Sequence, residues 1–572
     1  MPKTWISRYD SGVSSSFNYP EWTVPDLLRH SADRFPDSPA LLFYGTCISY
    51  RELDDLTTRF ARGLRHLGVS QGDRVAIMLP NIPQAVIAYY GILKAGAVVV
   101  PTNPLYVERE IQTQLTDAGG KTMVVLDLLY SRVRAVKEAT TLPERIIVTG
   151  VQDYLPFFKK LFYPIKAWFA KRWVSVEKAP CVYDFLGLLH IDSTVNSTDH
   201  FADLPLVRPI DLAQLQYTGG TTGTPKGVML THHNVVVNTL QGRYWSPDFR
   251  EGQEIFLGAI PFFHCYGLAT CQNLAIATGC PIVLLPRFHA DEVIKVIHAH
   301  RITMFSGVPM MYSMIVEHPD VSRYDLRSLR VCLSGASPLP ADVQGRFENL
   351  TGARISEGYG LTEAGPTTHC NPLLGEHPPS SMGLPFPDTE ARVVDPDTGL
   401  EEVPEGETGE LIVRGPQIML GYWNKEDETR AVLRDGWLYT GDLVRRDDRG
   451  YFYFVDRKKD IIKSRGETVY PREIEEVLRQ HPAVSDAAVV GVADHDYGEI
   501  IKAYVVAKPE SHVTEETLIT HCAGLLARYK IPSSIEFRHE LPRTVIGKVL
   551  RRAMRAEAAH ANAEEQLQRQ AV

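Results

Sequence analysis

Tyr217-Thr218-Gly219-Gly220-Thr221-Thr222-Gly223-Thr224-Pro225-Lys226-Gly227 is the stretch on which the reading of this chain turns. It follows the strand-like run Leu212–Gln216 and precedes a helical pattern that begins near His232. Glycines let backbone N–H groups turn toward an anion, threonine hydroxyls add donors, and Lys226 supplies a compact positive charge. The segment therefore reads as a polyphosphate cradle. It is not a Walker A loop, which needs Gly before its lysine and Ser or Thr after it, whereas Pro225 and Gly227 flank Lys226. The bland alternative is a Gly/Thr-rich loop without a ligand, and the ordered Pro-Lys-Gly ending counts against it.

Outward from the loop the chain has an α/β texture. Arg74–Leu79 is a short apolar run, Pro83–Ala95 has helical spacing and Ala97–Val100 is a second apolar run, which together make one βαβ unit. Similar units recur at Thr122–Thr149, Ile282–Phe305 and Leu329–Ile355, implying parallel sheets covered by helices. From about Gly383 to Phe454 the pattern changes to short alternating segments with Gly, Pro and Asp-Gly turns, as in a small antiparallel β subdomain. After the charged cluster Asp456-Arg457-Lys458-Lys459-Asp460 the spacing predicts helix Pro471–Gln480, strands Asp486–Val492 and Ile501–Val506, and helix Glu515–Ala527. The stretch from Met554 onward, rich in Ala, Glu and Gln, reads as a fraying polar helix.

Length and composition bound the function. At 572 residues the chain exceeds one hydrophobic core, so two or three packed units are expected. Its 44% apolar and 23% charged residues exclude a disordered or fibrous chain. A net charge of −9 gives no overall attraction for nucleic acid or anionic lipid, so any anion site must be local. The eight cysteines form no CxxC pair, and Met1-Pro2-Lys3-Thr4-Trp5 opens no apolar signal segment, so a reducing, cytoplasmic setting is expected. Ile255 to Pro286 lacks Asp, Glu, Lys and Arg, yet Pro261, His264, Gln272, Asn273, Gly279 and Pro281 break it into core elements rather than a membrane span.

Further motifs extend the picture in a fixed order: Ser356-Glu357-Gly358-Tyr359-Gly360-Leu361-Thr362-Glu363, Tyr439-Thr440-Gly441-Asp442, the 456–460 cluster, and Pro542-Arg543-Thr544-Val545-Ile546-Gly547-Lys548. With the phosphate loop and Pro101-Thr102-Asn103-Pro104-Leu105-Tyr106, they resemble the adenylate-forming superfamily of acyl-CoA synthetases, luciferases and peptide-synthetase adenylation domains. The resemblance covers nearly the whole chain and is strongest to bacterial long-chain-fatty-acid–CoA ligases. It implies an N-terminal domain over 1–457 that includes the β subdomain at about 383–455, a hinge at 458–460 and a mobile α+β C-terminal domain over 461–572. It also implies an acid activated by ATP and Mg²⁺ as acyl-adenylate, then passed to coenzyme A. The rivals are a medium-chain or aryl acid–CoA ligase and a non-catalytic fatty-acid-binding protein, the latter having no use for Lys226, Glu363, Asp442, Arg457 and Lys548 together.

The resemblance distributes roles. Thr218, Gly219, Gly220, Thr221, Thr222, Gly223 and Lys226 would hold the phosphates, while Gly335, Ala336 and Ser337, with Gly358, Tyr359 and Gly360, would hold adenine. Glu363 would stand beside Mg²⁺, with Thr221 as a second metal-proximal oxygen, since that ion wants hard ligands next to phosphate. Thr362 offers a hydroxyl to phosphate or carboxylate, and Asp442 and Arg457 suit the ribose, although Tyr359 also fits a core tyrosine and Asp442 a turn. Lys548 resembles the catalytic lysine that bridges acid and α-phosphate. Lys459 is the implied pivot, bringing the loop containing Lys463, Arg465 and Gly466 toward CoA. At Arg465 the chain departs from its nearest relatives, which more often carry a small residue, so this side chain reads equally as a CoA-phosphate ligand or as solvated.

Phe263, His264, Gly307 and Val308 fall in segments that the resemblance assigns to the acid pocket. No charged residue lies in those segments, which suits an aliphatic tail better than an amino acid. His264 fits both a carboxylate-steering residue and a buried core histidine. Between Tyr154 and Trp173, apolar residues at 158, 161, 162, 165, 168 and 169 share a helical face bordered by Lys159, Lys160, Lys166, Lys171 and Arg172. That pattern suits a helix on the inner membrane surface and equally one docked on the enzyme body. Oligomeric state, including a homodimer, stays open.

Overall fold

The computed structural model describes residues 4–169, 174, 176–191, 204–218, 225–464, 467–494, 498–544 and 547–559, without the side chains of 164–169 and 498. Among these the strands form sheets of 14, 8 and 5. The first two build a large N-terminal domain and the third a small C-terminal one.

The βαβ unit read at 74–100 is present as strand Arg74–Met78, helix Pro83–Lys94 and strand Val98–Pro101, with the two strands parallel. Every residue of Pro83–Lys94 is buried, which is what a helix without a polar face requires. Lys94 is tolerated there because its ammonium meets the Asp54 carboxylate at 2.7 Å and the Thr58 hydroxyl at 2.9 Å. The units at Thr122–Thr149, Ile282–Phe305 and Leu329–Ile355 also form, their strands entering the two large sheets.

Two expectations change, and one strand was not foreseen. The helix expected near His232 is present, but strand Lys226–Thr231 precedes it, antiparallel to Leu212–Thr218 with Lys226 opposite Thr218, so the strands flanking the phosphate loop pair as a hairpin. The apolar run there is too short for its period to be read. Helix His232–Tyr244 then starts at Thr231, whose hydroxyl accepts from the Asn234 N–H at 3.1 Å.

Apart from Gly421–Tyr422, which pairs into the 8-stranded sheet, the antiparallel strands of 381–457 do not make a separate sheet. Through Thr367–Cys370 they continue the parallel strands Met304–Gly307, Val331–Ser334 and Ile355–Gly360 into the 14-stranded sheet. Finally, the helix beginning at 551 is anchored rather than frayed over its described part. Met554 and Ala558 are buried against Val490, Tyr504 and Leu541, apolar contacts that the Ala/Glu-rich composition concealed. The uncharged stretch 255–286 divides into strand Phe256–Gly258, helical turns over 265–277 and strand Ile282–Leu284. No described helix is long and apolar enough to cross a membrane.

In the C-terminal domain, helix Pro471–Gln480 has the expected bounds, and the two expected strands run longer, Val484–Asp494 and Gly498–Ala507. Short strands Ile462–Ser464, Glu467–Val469 and Ser534–Arg538 complete the sheet.

Candidate active site

Strand ends from the two large sheets open into a cleft of about 1430 Å³ that the C-terminal domain closes. It is larger than an ordinary ligand pocket of roughly 300–1,000 Å³, leaving room for a nucleotide and a second reactant together. Thr218, Lys226, Phe263, His264, Ala336, Ser337, Gly358–Glu363, Asp442, Arg457, Lys459 and Lys548 all line it, although they span 331 positions of sequence from 218 to 548.

The Tyr-Gly-Leu-Thr-Glu motif is a strand end followed by a tight turn. Gly360 is required by contact, because a Cβ there would lie 2.2 Å from the Pro366 carbonyl oxygen. The Tyr359 hydroxyl donates to Asp442 Oδ2 at 2.6 Å, and Arg457 Nε lies 3.4 Å from Asp442 Oδ1. Asp442 and Arg457 are direct partners in the ladder between strands Trp437–Arg446 and Phe452–Arg457, so backbone register sets their pairing. Both Asp442 oxygens already have a partner, yet an ionised carboxylate keeps further lone pairs for sugar hydroxyls.

Glu363 lies in the turn Thr362–Ala364 that follows strand Ile355–Gly360. Its Oε1 accepts from the Tyr422 hydroxyl at 2.8 Å, and the Tyr422 ring lies 4.9 Å under the Lys226 ammonium, which also pairs with Glu428. Tyr422 and Glu428 were not anticipated. Strand Gly421–Tyr422 reaches the loop by pairing with Val228 and Met229, a tertiary event with no local signature, and Glu428 sits in an acidic run that reads as a solvated face. Among the described residues no three metal-ligating side chains group as a cage. A nucleotide-bound Mg²⁺ needs only one or two carboxylates besides phosphate oxygens and water, and Glu363 fits that demand.

Lys548 arrives from the C-terminal domain directly after Gly547, which has φ +78°, and its N–H donates to Thr544 Oγ1 at 3.1 Å. Burial, with Arg457 nearby, pulls its ammonium below the ordinary lysine range, while Asp442, Cys265 and Glu363 oppose that shift. Lys548 also lines a second, apolar pocket of about 120 Å³ formed by residues such as Trp245, Phe249, Leu274, Met304 and Leu333. His264, Ala336, Gly358–Thr362 and Lys548 border both spaces, which meet there.

His264 caps the turn at Cys265 by accepting from the Tyr266 N–H at 3.2 Å. Burial and then Lys548 hold its pKa down at about 3, so it is neutral at ordinary pH. Thr362 Oγ1 lies 3.5 Å from Cys265 Sγ at the same junction. Gly335 lines the apolar pocket, whereas Gly307 and Val308 stand behind it: the Gly307 carbonyl accepts from the Tyr266 hydroxyl at 3.2 Å and Val308 is buried in the core. Glu357, also unanticipated, lines the cleft, where burial pushes its carboxyl up to about 7 although the Leu339 N–H opposes this.

Lys459 is drawn down to about 8 by burial and by Arg457. Its neighbours are held one on each side: Lys458 pairs with Glu410 of the N-terminal domain at 2.8 Å, and Asp460 with Arg555 at 2.5 Å and Arg551 at 3.5 Å of the C-terminal domain. Lys463 is turned away, its Nζ donating to Thr468 Oγ1 at 2.7 Å, and it does not line the cleft. Gly219, Gly220, Thr221, Thr222 and Gly223, and likewise Arg465 and Gly466, lie outside the described residues.

The fold and the order of these motifs define an adenylate-forming enzyme. Residues 28–423 match the AMP-binding enzyme family and 473–548 its C-terminal domain, so the chain belongs to that family. It is 44% identical over 554 residues to a long-chain-fatty-acid–CoA ligase of Bacillus subtilis, covering 96% of this chain and 97% of that protein. It is 38% identical over 563 residues to a protein of the same name from Escherichia coli O6:H1, covering 98% and 99%. Among solved structures, ATP-bound MatB from Rhodopseudomonas palustris superposes with a TM-score of 0.80 at 29% identity, covering 94% of this chain and 99% of that one.

Proposed function

We propose that this chain is an ATP-dependent ligase that converts a long-chain fatty acid to its CoA thioester through an acyl-adenylate. The observation that carries the reading is the junction at Lys548, where a polar cleft of nucleotide size meets an apolar pocket. Its relatives named long-chain-fatty-acid–CoA ligases support the substrate class.

In the first step a carboxylate oxygen of the acid attacks the α-phosphorus, and the bond to the β-phosphate oxygen breaks with departure of pyrophosphate. The nucleophile belongs to the substrate, so the protein supplies position and charge. Tyr359 and the 335–337 segment face adenine, and Asp442 and Arg457 hold the ribose. Lys226 meets the outer phosphates once they displace it from Glu428, and Glu363 would hold Mg²⁺, which when bound neutralises phosphate charge. Lys548 meets the charge that gathers between carboxylate and α-phosphate, with Thr362 beside it. Neutral His264 contributes no charge that would trap the carboxylate.

In the second step the CoA thiol sulfur attacks the acyl carbon. The C–S bond forms, the carbon–oxygen bond to phosphate breaks, AMP leaves with the electron pair, and the thiol proton passes to solvent. Lys548 stands where this step needs access, so rotation about Lys459 would withdraw it and bring the 463–466 loop to CoA. A panel of acids from acetate to palmitate, together with aromatic acids, tests the whole reading. CoA-dependent AMP formation is expected to be greatest with the longer aliphatic acids, and a panel yielding no AMP would refute it.

A membrane contact extends this reading. Helix Phe157–Phe169 leaves Phe157, Phe158, Leu161 and Phe162 59–74% exposed, an apolar patch of the kind that lies at an interface. Lys159 is pinned by the Tyr44 carbonyl at 2.7 Å, so it anchors the helix instead of facing lipid. Neutralising Lys160, Lys166, Lys171 and Arg172 together, with Lys159 left to hold the helix, is expected to weaken sedimentation with anionic vesicles several-fold, at about 1 kcal/mol per surface charge. Unaltered sedimentation would remove the contact.

A further inference from the structure

Gln216 is 3% exposed near the end of strand Leu212–Thr218, one residue before the phosphate loop motif. Its Nε2 donates to the Phe263 carbonyl at 2.9 Å. That partner assigns the amide's orientation, because the flipped form would oppose two oxygens. Among the described residues Gln216 Oε1 is left buried without a hydrogen-bond partner, although the residue lines the cleft. Buried polar atoms are rarely left so, which marks Oε1 as an acceptor waiting for a donor.

The reactants differ in what they can donate. Triphosphate and carboxylate oxygens are acceptors, the ribose hydroxyls are donors that Asp442 takes, and the adenine amino group belongs at the Tyr359 end. The pantetheine arm of CoA carries two amide N–H groups and a thiol S–H. The surroundings agree with a neutral, amide-bearing chain. Strand Val98–Pro101 runs parallel beside Leu212–Thr218 with Val99 opposite Gln214, which carries Pro101, Asn103, Tyr106 and Glu110 to the same end of the cleft. None of these is basic, so this arm is poorly suited to a polyphosphate.

We propose that Gln216 Oε1 accepts an N–H or S–H of the pantetheine arm, making Gln216 a positioning residue for CoA in the thioester step. The inference rests on the acid–CoA ligase reading. In the present domain arrangement Oε1 is covered, so the donor reaches it as the domains rearrange for the second step.

The test uses full-length Gln216→Met, which removes both amide ends, and Gln216→Glu, whose carboxyl, kept protonated by burial, donates to the Phe263 carbonyl and retains an acceptor. Adenylate formation is read as hydroxylamine-trapped product without CoA, thioester formation is read against CoA concentration, and melting temperature is read on each sample. Gln216→Met is expected to raise the KM for CoA about tenfold beyond any change in adenylate formation, the scale of one lost hydrogen bond. Gln216→Glu is expected to stay within roughly threefold of wild type in that KM, and it carries the test if the Met variant does not fold. Equal losses in both steps by a variant that melts like wild type would make Gln216 only a strut for Phe263 and overturn the proposal. So would an unchanged KM for CoA in the Met variant. A wild-type enzyme that forms adenylate with no acid would sink the ligase reading and this inference together.

Discussion

Replacing Lys548 by Ala is expected to lower adenylate formation on the order of 10²–10³-fold, the usual cost of deleting one group aimed at transition-state charge. The loss should fall on the first step. When chemically prepared acyl-adenylate and CoA are supplied, thioester formation is expected to keep most of its rate, since the ammonium has no part once pyrophosphate has gone. The junction position explains the size of the effect: Lys548 is the C-terminal domain's residue that lines both the cleft and the apolar pocket.

The pH profile gives a second measure. Burial lowers this ammonium's pKa, so its charge is present below that lowered value and is lost as pH rises through it. Adenylate formation by the wild type should therefore fall on the alkaline side earlier than an ordinary lysine would titrate. Equal damage to both half-reactions in Lys548→Ala would remove the assignment.

Lys459→Pro is expected to leave acyl-adenylate accumulating on the enzyme while overall thioester turnover falls on the order of 10²-fold, the scale of a misplaced reacting pair. Proline fixes φ and removes a donor, so a pivot there could no longer absorb the dihedral change of domain rotation. The contacts that cross the pivot and must be broken include those of Arg472, whose N–H donates to Asp456 Oδ2 at 2.9 Å and whose guanidinium donates to the Phe454 carbonyl at 2.8 Å. Quench-flow measurement of bound adenylate checks this, and unchanged turnover would contradict the hinge.

Much of the site was legible because its motifs are local. Tyr359, Thr362 and Glu363 share one strand end and its turn, and Asp442 and Arg457 stand in motifs whose residue types suit a sugar. What escaped was partnership across the fold. Val228–Leu230 is too short to show a strand period, so the hairpin that places Lys226 opposite Thr218 was hidden. Tyr422 and Glu428 reach Lys226 and Glu363 only because a two-residue strand pairs at the sheet edge. Glu357 and Gln216 acquire their character from burial, which no residue announces by itself. The helix that starts at 551 looked like a polar tail, yet Met554 and Ala558 seat it in the core of the small domain.

Residue order by itself determined the α/β class, the two-part organisation and the family motifs, because each depends on short-range periodicity or on a contiguous motif. Tertiary structure decided that the antiparallel strands extend the large sheet, that the strands flanking the phosphate loop pair as a hairpin, and that Lys548 meets Thr362 and His264 where polar and apolar spaces join. The hairpin joins strands close in sequence, with Thr218 opposite Lys226, but they are too short to show a period, whereas the Lys548 junction joins segments more than a hundred residues apart; the energies of all three come from burial and strand pairing that exist only once the chain has folded.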